Sequence, residues 1–251
     1  MKNLLKASPT VVSTIQAIVY IGTILGFFYF TYDLPAILMI LLGYFLYSGI
    51  GLMMLHRYYT HKSFEFKNKY VKWLFTWFAL TLGRGSIIGW VHVHREHHAF
   101  SDTPKDPHYP NLRPRSIFFP TIKHCGANIN KKIIRDLFNR TQLRINNYYV
   151  LIIVSWILLL GLIDPWLLYF GWCVPVLVSH IMINAFVYLG HRFGYVTYDC
   201  RDDSKNLWIF GYFLWGEGWH NNHHKHARNW NFGEKWWEID LMAPIIWMVK
   251  K

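Results

Sequence analysis

Charge is scarce in this chain, and negative charge is scarcest. Only 16% of its 251 residues are charged, and 14 acidic residues face 26 basic ones, for a formal net charge of +12. Cysteine is sparse too. Cys125, Cys173 and Cys200 are an odd number without CxxC spacing, so neither a disulfide framework nor a thiolate zinc site is implied. No internal repeat and no low-complexity tract is present. A basic balance suits nucleic acid, an anionic membrane surface or an anionic substrate. Nucleic acid is set aside, because the aromatics lie inside apolar runs and no nucleic-acid motif occurs.

What is abundant is apolar. Hydrophobic residues make up 53% and aromatics 19%, too much for an ordinary soluble domain. Four runs lack Lys and Arg and approach the ~20 residues needed to cross ~30 Å of hydrocarbon: about 11–30, 35–55, 148–163 and 165–189. Lys2 and Lys6 precede the first run. It is as long as a full span and has no clear small-residue cleavage site, so it is expected to be a membrane helix, not a secretory signal. The third run is short and relies on Tyr148, Tyr149 and Trp156 at or within the interface.

The connections 31–34 and 161–164 hold no Lys or Arg. Every basic residue lies in the N-terminal tail, in segment 56–147 or after His191. Four crossings put these three regions on one side, and the positive-inside rule makes that side cytoplasmic. The expected fold is an all-α integral membrane protein: one domain over 1–251, four transmembrane helices, and a cytoplasmic helical cap from segments 56–147 and 190–251. Within the cap, Tyr70–Trp90 holds Lys72, Gly83, Arg84 and Gly85 and predicts an amphipathic helix lying on the membrane. Five prolines (Pro104, Pro107, Pro110, Pro114, Pro120) predict an irregular loop over 101–120. Lys131–Asn147 predicts a basic amphipathic helix leading into the third span.

Three histidine boxes fall on this side. His94, His97 and His98 are spaced i, i+3, i+4, and so are His220, His223 and His224, which puts each trio on one helix face. His56 and His61 are spaced i, i+5, about 140° apart on an ideal α-helix, so they address different ions or the helix ends between them. A lone histidine is ordinarily a satisfied core residue. Eight of them in three boxes, two of which repeat one spacing, point to a metal site, and imidazole leaves Zn, Cu, Fe and Ni open.

These motifs resemble the membrane fatty acyl desaturases, in particular the acyl-CoA Δ9 (stearoyl-CoA type) branch and its short bacterial relatives. The resemblance rests on His56-Arg-Tyr-Tyr-Thr-His61 and on His94-Arg-Glu-His97-His98 with its trailing Ser101-Asp102-Thr103 and Asp106-Pro107-His108. Gly216-Glu217-Gly218-Trp219-His220-Asn-Asn-His223-His224 completes the set. It covers about 41–237. A further match, His191-Arg-Phe-Gly-Tyr195-Val-Thr-Tyr198-Asp199, adds a ninth histidine. The resemblance implies that His56, His61, His94, His97, His98, His191, His220, His223 and His224 hold two iron ions.

Glu96, Glu217 and His108 are then expected behind the ligand imidazoles, with solvated surface groups as the bland alternative. His92 is expected to point away from the site, and His124, His180 and His226 to be structural or superficial. One departure stands out. Many relatives carry an asparagine four residues before the ninth histidine, to support a metal-bound water. Here that residue is Val187, and Asn184 lies one turn earlier, about 10 Å from His191 along the axis.

The implied reaction is O2-dependent removal of two hydrogens from an unactivated methylene pair, most often at Δ9 and giving a cis double bond. The implied substrate is a saturated acyl chain on CoA or lipid. Tyr44 and Ser48 are expected to line the far end of the acyl tunnel; helix packing is the alternative. No cytochrome b5-like, flavin or Fe–S segment is recognised, so a ferredoxin- or cytochrome b5-type donor with its reductase is expected as partner. The expected location is the lipid bilayer, a bacterial inner membrane sooner than the endoplasmic reticulum, with the site on the cytoplasmic side. A diiron hydroxylase, ketolase or acetylenase could use the same boxes. A non-enzymatic membrane metal-binding protein is the alternative from another class, though transporters place ligands near the bilayer midplane.

Overall fold

The structure is a computed structural model describing residues 6–109, 113–120 and 130–251; Pro110, His124 and Cys125 lie outside the described residues. Among the described residues it is helical, with isolated β-bridges (Phe66–Lys250, Tyr195–Asn206, Asn206–Trp219) and no strand.

Helix α1 (Pro9–Phe27) starts at Ser8, whose Oγ accepts from Val11 N at 3.2 Å. Helix α2 (Leu34–Thr60) starts at Asp33, whose Oδ1 accepts from Ala36 N at 2.9 Å. Both carry proline in the first turn, where its missing N–H costs nothing. Next come α3 (Lys69–Thr81), α4 (Ile87–Phe100), α5 (Arg140–Asn147), α6 (Tyr149–Ile163) and α7 (Pro165–Leu189). Three short helices follow: α8 (Trp208–Phe213), α9 (His220–Lys225) and α10 (Ala243–Val249).

Helices α1, α2 and α7 are each long and apolar enough to cross a membrane. A fourth span results if α5 and α6, bent by 61°, are one crossing. Their outward faces are apolar: Leu162 is 85% exposed, Leu25 66% and Phe27 61%. Such bare apolar surface is at home in hydrocarbon, not in water.

Several expected boundaries shift. The second span runs on to Thr60 instead of ending near Leu55, because π-helical turns over Phe45–Gly51 and Met54–Thr60 carry the polar histidine box into the helix. Tyr70–Trp90 is not one helix. Gly83 (φ 77°) and Gly85 (φ 99°) break it, and α3 and α4 lie on either side. The helix expected over Lys131–Asn147 begins only at Arg140, where Asn139 Oδ1 caps Gln142 N at 3.1 Å.

The residues group into two compact units. In the first (1–52, 76–93, 122–180), Ala36, Tyr169, Phe170 and Val174 form a buried cluster. Tyr169 OH there donates to Thr23 O at 2.9 Å and lies 2.6 Å from Tyr32 OH. Trp172 Nε1 donates to Thr81 O at 2.8 Å. His180, buried, has Nε2 at 2.7 Å from Leu82 O, and His92, also buried, accepts from Asn130 N at 2.9 Å. The same unit holds Ser48, buried, and Tyr44, half-buried, around the first π turns. The second unit (53–75, 94–121, 181–251) contains all nine histidines of the expected ligand set.

Candidate metal centre

The nine imidazoles form two groups. One ring nitrogen from each of His56, His61, His94, His98 and His223 falls in one set, and one from each of His97, His191, His220 and His224 in the other. Within each set all these atoms lie within 4.8 Å of one another.

The partition follows from helix geometry. In α4, His94 and His98 are i and i+4 and share the five-imidazole set, while His97 turns to the other. In α9, His220 and His224 share the four-imidazole set and His223 crosses to the five. Each one-face trio therefore serves both sets. For the i, i+5 pair the second expectation holds and the first does not: α2 ends at Thr60, between the two histidines, and both serve one set. His61 N donates to His56 O at 3.1 Å, closing a π turn, so the two rings sit one π turn apart and join the same set.

Carboxylates fix the rings. His56 Nδ1 pairs with Glu217 Oε2, His97 Nδ1 with Asp106 Oδ2 at 2.9 Å, His191 Nδ1 with Asp102 Oδ2 at 2.9 Å, and His224 Nδ1 with Asp202 Oδ2 at 2.7 Å. A carboxylate only accepts, so each Nδ1 carries the hydrogen and each Nε2 presents a bare lone pair. Those lone pairs converge. Nε2–Nε2 separations are 3.0 Å for His56–His223 and His223–His98, 3.1 Å for His94–His98, and 2.9 Å for His191–His220. His61 Nε2 and His224 Nε2 are buried and make no hydrogen bond. Bare nitrogens this close repel unless a cation sits among them. Two nitrogens bound at about 2.1 Å and at right angles around one ion stand about 3.0 Å apart. The donor sets thus fit one borderline metal ion each.

Burial reinforces this. It holds the imidazoles of His61, His94, His97, His98, His220, His223 and His224 below the usual histidine range, with repulsion among neighbouring rings adding to it. They stay neutral and ready to ligate at neutral pH. Burial raises the carboxyls of Asp202 and Glu217, but the pairing with His224, and with His56 and Arg57, outweighs it and holds both below the ordinary range.

Glu217 is set by its neighbours in sequence. Gly216 adopts φ 95°, and a Cβ there would lie 2.2 Å from Asp240 Oδ1. A Cβ at Gly218 would lie 2.1 Å from Gly211 N. Between them Glu217 reaches both His56 and Arg57. Arg57, fully buried, donates to Glu217 Oε1 at 3.0 Å, Asp240 Oδ2 at 2.5 Å and Trp230 O at 3.0 Å, and stacks 3.9 Å from the Phe232 ring centroid.

Helix α9 is too short to hold itself. Asn206 Oδ1 accepts from Asn221 N (3.0 Å) and Asn222 N (3.3 Å). Asn221 Nδ2 donates to Tyr198 O (2.9 Å), and Asn222 Nδ2 to Glu238 Oε2 (2.8 Å). The two asparagines inside the third box are its scaffold.

Among the expected supporting residues, Glu217 contacts an imidazole directly. His108 lies with its ring 4.9 Å from that of His97, and its backbone N–H braces Asp106 Oδ1 at 2.8 Å. Glu96 is half-buried on α4. Asn184 Nδ2 is committed to Ile117 O at 3.1 Å, and Val187 is half-buried. Sequence reasoning missed Asp102, Asp106 and Asp202 as ring holders. The first two sit at short fixed offsets after the second box, which was a usable signal. Asp202 had none.

Helices long and apolar enough to cross a membrane and two histidine sets able to hold metal ions define the class: a helical protein with candidate membrane spans and paired candidate metal sites. The chain belongs to the fatty acid desaturase family, whose model matches residues 34–247. It is 33% identical over 238 residues to the sn-1 stearoyl-lipid 9-desaturase of Anabaena variabilis, covering 88% of this chain and 83% of that one. It is 32% identical to the hex-5-enoyl-[acyl-carrier protein] acetylenase of Moorena producens (strain JHB), covering 84% and 73%. It is 30% identical to the Delta-9 acyl-lipid desaturase 1 of Arabidopsis thaliana, covering 86% and 73%. The protein is thus a fatty acyl desaturase, an oxidoreductase acting on acyl chains.

Proposed function

We propose that the protein inserts a cis double bond at Δ9 of a saturated acyl chain carried on a membrane lipid, using two iron ions, O2 and two electrons. The observation that carries this is the division of nine imidazoles, six of them on buried residues, into sets of five and four with converging Nε2 atoms. The 9-desaturase relatives, named for stearoyl-lipid and acyl-lipid substrates, support the position and favour lipid over CoA as carrier.

His56, His61, His94, His98 and His223 would hold one ion; His97, His191, His220 and His224 would hold the other. Iron, when bound, supplies the oxidising power needed to break an unactivated C–H bond. The chain supplies orientation and dryness. Glu217, Asp106, Asp102 and Asp202 keep each partner ring in one tautomer, and burial of His56, His97, His220 and His223 excludes water that would divert the chemistry. Glu96 belongs to this supporting set by its place on α4.

Ser48 and Tyr44 bound the far end of the acyl chain in this reading. Ser48 precedes His56 by eight residues of the same helix. The chain 1–251 works as one membrane desaturase domain with four crossings. The histidine boxes lie on the cytoplasmic face of a bacterial inner membrane, where the Lys- and Arg-bearing segments lie. A ferredoxin- or cytochrome b5-type carrier with its reductase supplies the electrons. The acetylenase relative keeps a second reading open, in which the same site acts on a chain that is already unsaturated.

The test is expression with a ferredoxin and its reductase, followed by mass spectrometry with double-bond localisation across phospholipid, glycolipid and acyl-CoA pools. New Δ9 monoenes appearing first in lipid, and abolished by His223→Ala, are expected. First appearance in acyl-CoA moves the carrier to CoA, a triple bond selects the acetylenase reading, and iron without lipid change removes the enzymatic one.

A further inference from the structure

The second unit carries apolar surface that its core does not use. Lys67 N donates to Val249 O at 3.0 Å and Lys251 N to Glu65 O at 2.8 Å, with Phe66 and Lys250 paired in an antiparallel bridge between them. These bonds tie the end of α10 to the segment that leads into α3. Met242 and Ile246 are buried beneath this junction. Other side chains of the same stretches are bare: Trp236 is 87% exposed, Tyr70 73% and Trp247 67%, with Leu74, Ile239 and Met248 also exposed. Large apolar groups gathered in this way mark an interaction surface.

Charge on the two stretches, 65–75 and 234–251, is lopsided. They hold six lysines (Lys67, Lys69, Lys72, Lys235, Lys250, Lys251) and four acids. Two of the acids are sealed inside. Glu238 accepts from Asn222 Nδ2 and from the backbone N–H groups of Glu234 and Lys235, and Asp240 pairs with Arg57. Glu65 and Glu234 are the exposed ones, and Glu234 accepts from Tyr198 OH. The lysines are interleaved with rings. Lys69 Nζ lies 5.1 Å from the Tyr70 centroid, Lys72 Nζ 5.0 Å from Trp73, Lys235 Nζ 5.4 Å from Trp237 and Lys250 Nζ 4.6 Å from Trp230. Such pairs suit the headgroup layer of a bilayer, where ring and stem meet apolar matter and the ammonium stays in the polar zone. Six cations against two open carboxylates select a layer of net negative charge.

We propose that this face docks on an anionic lipid surface, with Tyr70, Trp236 and Trp247 entering the headgroup layer and the lysines meeting its phosphates. The inference goes beyond the catalytic reading and adds a second kind of lipid contact to it. Trp236 and Trp237 directly precede Glu238, whose carboxylate holds Asn222 of the third histidine box. The stretch that meets lipid on its outer side is therefore the one that braces α9 on its inner side.

The experiment uses the full chain in lipid nanodiscs, with Cys125, Cys173 and Cys200 replaced by serine and a fluorescent label attached through Trp247→Cys. Quenching by a lipid with a nitroxide headgroup reads contact with the surface. Adding phosphatidylglycerol to phosphatidylcholine is expected to strengthen quenching about threefold, and raising the salt to reverse this. Lys69→Glu/Lys72→Glu/Lys250→Glu should return quenching to the level of phosphatidylcholine alone. Arg228→Glu, an exposed reversal outside both stretches, should leave it as it was. Quenching indifferent to phosphatidylglycerol overturns the proposal, as does an equal loss in Arg228→Glu. A label that stays unquenched in every lipid overturns it too, and gives the face to a protein partner. Iron and turnover do not enter the measurement, so failure of the desaturase reading shows separately, as unchanged lipids on expression.

Discussion

Arg57 donates through Nε to Glu217 Oε1 at 3.0 Å, while the other oxygen of that carboxylate takes the Nδ1–H of His56. A fully buried guanidinium thus stands one carboxylate behind a ring of the five-imidazole set, with Asp240 on its far side. Removing it strands two buried carboxylates. Arg57→Met is expected to cost about 3–5 kcal/mol and to lower the unfolding temperature in detergent sharply. An unfolding temperature within 2 °C of wild type, read alongside iron content, would show the network to be dispensable.

Each one-face trio contributes to both imidazole sets, so single histidine removals should sort by set and not by box. His98→Ala and His223→Ala come from different boxes and the same set; His97→Ala comes from the box of His98 and the opposite set. Metal analysis of the first two should give about one ion per chain with matching spectra, and of the third about one ion with a different spectrum. Spectra that group by box would contradict the partition.

Asp202 holds His224 from partly open surface. Asp202→Asn keeps the shape and loses the charge. Iron affinity at the four-imidazole set should fall by about 10–100-fold, read by competition with a chelator, with little change in thermal stability.

Gly216→Ala must both leave φ 95° and push its Cβ into Asp240 Oδ1. It should release Glu217 from His56 and reduce iron occupancy strongly. Gly161→Ala is the tolerant comparison, because its Cβ would meet only Leu168 Cδ2 at 3.3 Å. Equal iron content in the two variants would contradict the role given to the turn.

Acid should destabilise the iron-free protein. The clustered imidazoles are depressed by burial, so below about pH 6.5 the unfolded chain takes up protons that the native chain refuses. Stability falls as pH drops, and below about pH 4 the depressed carboxyls of Asp102, Asp202 and Glu217 act in the same direction. Asp106, raised by burial, opposes them in part. Unfolding temperatures of stripped protein should be flat from pH 8 to 7 and fall steadily to pH 5.5; a flat profile throughout would refute this.

The helical class, the apolar spans and the gathering of the histidine boxes were legible because each rests on composition or on a spacing whose geometry is local. The start of α7 at Pro165 was legible for the same reason. The pairing of His56 with His61 was not, since an i, i+5 spacing reads as divergent unless the helix is known to widen there. Nor was the allocation of His97 and His223, which depends on what faces them from elsewhere in the chain. The acidic ring holders were hidden for a plainer reason. Asp202 meets His224 across 22 residues, and no local pattern marks it. Asn221 and Asn222 looked like spacers between ligands, although their amides secure the helix.

The widened turns in α2 have one more consequence. Each π turn takes one residue more than the α-helix needs, which advances the side chains beyond it by about 100°. Helix α2 therefore does not keep a single angular phase between Leu34 and Thr60. Removing a single residue from 57–60 would restore the ordinary helical phase. The two histidines would then stand i and i+4 and still share a face, as His94 and His98 do, so the widened turn is what gives an i, i+5 pair that same geometry.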